Sequence, residues 1–66
     1  MRIGRVGLQL RLDGTRYEID SEMLNPPMSI VVYFSASSAA RDPQSERIRR
    51  YVDEALTFSG FRVEYI

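Results

Sequence analysis

The dipeptide Asp13-Gly14, set between two runs of alternating polarity, constrains this chain more than any other feature. Asp-Gly tolerates positive φ at both positions, which a two-residue type I′ turn requires. Before it, Val6, Leu8, Leu10 and Leu12 alternate with Arg5, Gly7, Gln9, Arg11 and Asp13. After it, Thr15, Tyr17 and Ile19 alternate with Arg16, Glu18 and Asp20. Period two marks a half-buried strand. A two-residue loop pairs Leu12 with Thr15, Leu10 with Tyr17 and Leu8 with Ile19, all on one face. Slipping by one residue would carry every one of these side chains to the water side, so turn and pattern specify a single hairpin over 5–20. The same register sets Arg11 opposite Arg16 on the outer face, a like-charge pairing that costs roughly a few tenths of a kcal/mol.

The rest of the chain reads as follows. Ser21 to Met28 is a connector, because Asn25-Pro26-Pro27 can continue neither a ladder nor a helix. Met23, Leu24 and Met28 are expected to fold back onto the core. A strand over 29–35 follows, whose run Ile30-Val31-Val32-Tyr33-Phe34 predicts burial on both faces. Ala36 to Arg41 is a small-residue loop. Asp42 is the expected N-cap and Pro43 the first residue of a helix over 43–58, with Ile48, Tyr51, Val52, Ala55 and Leu56 as its apolar stripe. Glu46–Arg50, Arg49–Asp53 and Arg50–Glu54 have i,i+4 spacing on its other side. Gly60 is placed to stop the helix in a left-handed conformation, and 61–66 alternates again as a last strand. The fold class is α+β: a single small domain over 1–66, in the order β-β-β-α-β, with a mixed four-stranded sheet and one helix on one face.

Composition narrows the function. Sixty-six residues hold one small core. The chain has no cysteine and no histidine, so disulfides and Cys/His zinc sites are excluded, and with them thiol nucleophiles and histidine bases. No metal or cofactor is expected, and no catalytic residues are assigned. Formal net charge is zero, with nine basic residues, all arginine, against nine acidic ones. That balance is unlike the positive excess of a dedicated nucleic-acid or membrane-surface binder. No apolar run nears a membrane span and no leader pattern is visible, so the expectation is a cytoplasmic protein without membrane contact.

One helix can shelter only one side of a sheet. Ile30, Val32 and Phe34 point one way, and Val31 and Tyr33 the other, so the pattern predicts an apolar outer face at Val31 and Tyr33 that a partner covers. A second copy is the simplest partner, and another protein the next. Gln9, Arg11 and Arg16 on the outer face of the hairpin form a second candidate surface, for an acidic protein or a nucleic-acid backbone. Ser37, Ser38 and Arg41, before the helix, are a candidate anion site. Tyr33-Phe34-Ser35-Ala36-Ser37 resembles the Tyr-x-Arg-x-Ser motif of serine recombinases, but Ser35 stands where that family needs arginine, so its activity is not carried over. Leu12 to Asp20 is similar to the opening hairpin of nucleoid-bridging proteins, although the rest of the chain does not follow that family. The reading is a small non-catalytic interaction module, a homodimer or partner-bound regulator or inhibitor of the antitoxin, immunity or mobile-element kind. The alternative is a nucleic-acid binder using the hairpin and helix arginines.

Overall fold

The computed structural model describes residues 2–3, 7–24 and 28–66. Asp13 and Gly14 take φ values of 51° and 80°, the two positive angles of the type I′ turn. They join β2 (Gly7–Leu12) to β3 (Thr15–Leu24) in the expected register, with Leu8 against Ile19, Leu10 against Tyr17, Leu12 against Thr15 and Arg11 against Arg16. Val6 and Arg5, which begin the alternation, lie outside the described residues. A two-residue strand, β1 (Arg2–Ile3), adds to the free edge of β2.

β3 runs four residues beyond its predicted end. Ser21, Glu22, Met23 and Leu24 pair antiparallel with Val32, Val31, Ile30 and Ser29 of β4 (Ser29–Val32). The alternation hid this extension because the inward position after Ile19 is a serine, Ser21, which is buried. Met23 and Leu24 therefore belong to the sheet and not to a folded-back connector. Met23 and Met28 are 46% and 47% exposed and do not cover the core. β4 is shorter than predicted, although the backbone stays tied beyond it: Tyr33 N–H donates to Asp20 O (2.9 Å) and Ser35 N–H to Ile66 O (2.9 Å).

β5 (Arg62–Tyr65) lies parallel to β4, and the spatial order is β1-β2-β3-β4-β5. The expected β-β-β-α-β domain with its mixed sheet is thus present, with β1 as an addition. β3 pairs with β2 through its first part and with β4 through its last, so one strand carries both halves of the sheet. Ten residues at about 3.3 Å each account for the length of the molecule, 34 Å against 21 and 18 Å in the other directions.

The predicted loop at 36–41 contains a turn of 3-10 helix, Ser38–Arg41, whose Ala39 is buried in the core. The α-helix, α1 (Ser45–Phe58), begins two residues later than predicted, with Gln44 at its N-cap. Asp42 is in extended conformation; its backbone N–H donates to Ala39 O (3.3 Å) and closes the 3-10 turn, while its acceptors serve the turn that follows. Its Oδ1 accepts from Gln44 N–H (2.8 Å) and its carbonyl from Ser45 N–H (3.0 Å). Ile48, Val52 and Leu56 of α1 are fully buried against Leu8, Ile19, Ile30 and Val32. At the other end, Gly60 sits at φ 91°. Phe61 N–H donates to Leu56 O (3.0 Å) and Gly60 N–H to Thr57 O (3.0 Å), the paired bonds of a Schellman stop.

Candidate interaction surfaces

The outer face is less bare than alternation alone implies. Val31 is only 7% exposed, in a chain standing by itself. It lies between Glu22 of β3 and Glu64 of β5. Tyr33, two residues along the same face, donates its hydroxyl to Oε2 of Glu22 (2.9 Å), the glutamate that flanks Val31. The aliphatic stems of the two glutamates and the Tyr33 ring shelter the valine while their polar ends stay in water. The Glu22 carboxylate accepting that hydroxyl raises the Tyr33 pKa above its ordinary value. The premise of a bare apolar patch at Val31 and Tyr33 is corrected accordingly.

Gln9, Arg11 and Arg16 are all exposed, as expected. Among the described residues neither Arg11 nor Arg16 has a carboxylate within ion-pair distance. The ion pair that does form joins distant elements: Arg47 of α1 reaches Asp13 in the hairpin turn, and also donates to Gln44 Oε1 (2.8 Å). The i,i+4 pairs expected along α1 do not close within 4 Å among the described residues. Arg49 turns instead onto the Tyr65 ring, 4.5 Å from its centroid. Asp53 accepts the Tyr65 hydroxyl (2.8 Å). Burial first, and then this hydrogen bond, push the Tyr65 pKa well above its ordinary value. Tyr17 is raised as well, by burial and by donating to Asp42 Oδ2 (3.1 Å).

The proposed anion residues do not converge. The Ser37 hydroxyl is used on the Phe34 carbonyl (2.6 Å), while Ser38 and Arg41 stand exposed at opposite ends of the 3-10 turn. An open cleft of about 330 Å³ lies next to this segment, lined by Phe34, Ser35, Ser45, Glu46, Arg49 and Tyr65. It sits beyond the carboxyl ends of the parallel strands, where open α/β sheets carry their crevices. Its arginine is already stacked on tyrosine and its glutamate opposes an anion, so it lacks the converging donors of a phosphate site.

Two other surfaces escaped the sequence reading. The first is a set of exposed apolar side chains, Phe58, Met28 and Met23. Phe58 is 94% exposed at the end of α1. Met28 Cε approaches to 3.4 Å of where a β-carbon on Gly60 would stand, and Met23 lies across from Ile30. Phe58 falls outside the Ile48-Val52-Leu56 stripe, two residues and about 200° beyond Leu56, so helical periodicity already placed it in solvent. The second is the outer edge of β5, which pairs with no further strand among the described residues. Arg62 N–H donates to Met28 O (2.7 Å) and Ile66 N–H to Val32 O (2.9 Å), so even-numbered residues bond to β4. The backbone groups of Val63 and Tyr65 consequently turn outward, a row of donors and acceptors open to another strand.

No helix among the described residues is long and apolar enough to cross a membrane. No protein-family model matches the chain, and neither a curated protein nor a solved structure shows significant similarity to it.

Proposed function

We propose that this protein is a small non-catalytic interaction module that works as a homodimer or bound to a partner protein, as a regulator or inhibitor does. One observation carries the reading: the chain spends a phenylalanine, Phe58, on nearly complete exposure, and leaves Met23 and Met28 half-exposed as well. Burying one such side chain is worth roughly 1.5–3 kcal/mol, an appreciable share of the stability of so small a domain. Exposed aromatic and methionine side chains are the composition of a contact surface. Sedimentation equilibrium between 10 µM and 1 mM tests the homodimeric form. The mass should rise from 7.6 kDa towards twice that value. A mass fixed at the monomer value throughout would refute self-association.

Arg11 and Arg16, which have no carboxylate within ion-pair distance among the described residues, support a second reading, contact with a nucleic-acid backbone. Binding should then weaken steeply with salt, and Arg11→Gln should lower the slope of log K against log salt by about one. No retention on DNA or RNA at low salt would exclude it.

A further inference from the structure

We infer that the homodimer forms by antiparallel addition of β5 to β5 of a second copy, with the two-fold axis passing through Val63. The inference rests on the self-association proposed above and assigns it to the β5 edge, leaving Phe58, Met23 and Met28 outside that contact. Three properties of β5 select this arrangement.

Backbone polarity comes first. The outward N–H and C=O groups belong to Val63 and Tyr65, because Arg62 and Ile66 are bonded to β4. In an antiparallel pair, residues that exchange both backbone bonds face each other directly. Val63 can therefore exchange both bonds with Val63 of the second copy, whereas a register that set odd-numbered positions against even-numbered ones would aim these outward groups at groups already bonded to β4.

Charge is the second property. A two-fold through Val63 sets Arg62 opposite Glu64 of the second copy, and Glu64 opposite its Arg62. Both residues are exposed and lie on the outer face. The symmetry makes the pair twice, with opposite signs matched each time. Centring on Glu64 would instead oppose two glutamates. The remaining cross-strand pair is the third property. Tyr65 meets Phe61 of the second copy on the helix side, and both rings are half-buried in the single chain. An aromatic pair there would extend the existing core cluster, which both rings already touch. Sheet and helix layers then run continuously through the dimer, the usual form of strand addition.

The test is a charge swap with a positional crosslink. Arg62→Glu and Glu64→Arg each place like charges at two sites, and each should raise the dimer dissociation constant by about tenfold or more. The double variant R62E/E64R restores both pairings and should return to within about threefold of the original. Neither side chain is buried, so circular dichroism should show the same fold throughout. Because the chain has no cysteine, V63C introduces a single thiol. Directly opposed Cα atoms in such a pair stand about 5.5 Å apart, within disulfide range, so mild oxidation should give a covalent dimer. G14C, at the far hairpin turn, should not crosslink. A dimer that persists unchanged through both single reversals, or in which V63C crosslinks no better than G14C, would overturn this interface and leave self-association standing. A wild-type chain that stays monomeric at 1 mM would overturn both.

Discussion

Val31→Ala is the most discriminating perturbation of the fold. The residue sits on the side of the sheet that α1 does not cover, yet it is 7% exposed. Removing two buried carbons costs about 0.8 kcal/mol each, and the space left between Glu22, Glu64 and Tyr33 brings the expected loss to roughly 2–2.5 kcal/mol. Strand propensity cannot reach that figure, since its whole range is about 1 kcal/mol. Stability for a chain of this length is roughly 3–10 kcal/mol, so the loss is large. It corresponds to a melting point about 10 °C lower. Urea unfolding followed by circular dichroism, at 5 µM and at 500 µM, measures it. The same loss at both concentrations locates the shelter within one chain. A loss below about 1 kcal/mol would refute the burial argument. A loss that appears only at the higher concentration would show that a second copy does the covering.

Gly60→Ala should cost about 1 kcal/mol in the same assay, because φ 91° is adverse to any β-carbon while Met28, at 3.4 Å, is only in ordinary contact; no loss would mean that the Schellman stop does not hold in solution. Tyr17, Tyr33 and Tyr65 all have pKa values raised on folding. The unfolded tyrosines ionise near pH 10 while the folded ones hold their protons, so this contribution is complete below pH 10 and is lost as pH rises above it. Melting curves at pH 8, 10 and 11 should show the decline, and Tyr65→Phe should make it shallower; an unchanged slope would separate Tyr65 from the alkaline transition.

The hairpin, its register and both positive-φ glycines were legible in the sequence, because each is set by a few consecutive residues. Asp13-Gly14 selects the turn, the turn selects the register, and the register decides which side chains meet. The stripe through Ile48, Val52 and Leu56, and the stop at Gly60, are local in the same sense. Nothing local marked Ser21 to Leu24 as strand, since a buried serine interrupts the apolar period and the partner, β4, follows only after the prolines. Asp42 looked like an N-cap because its side chain does cap a turn, but that turn precedes α1, and the N-cap position itself falls to Gln44. The arginines of α1 had acidic neighbours at i+4, yet Arg47 found Asp13 in the hairpin turn and Arg49 found the Tyr65 ring. The state of the outer face was likewise decided in three dimensions. Sequence shows that Val31 points away from the helix, but its shelter depends on Glu22, Tyr33 and Glu64, which come from three separate segments. Short-range sterics and periodicity act within one element and can be read along the chain, whereas burial is a sum over neighbours that only the packed fold brings together.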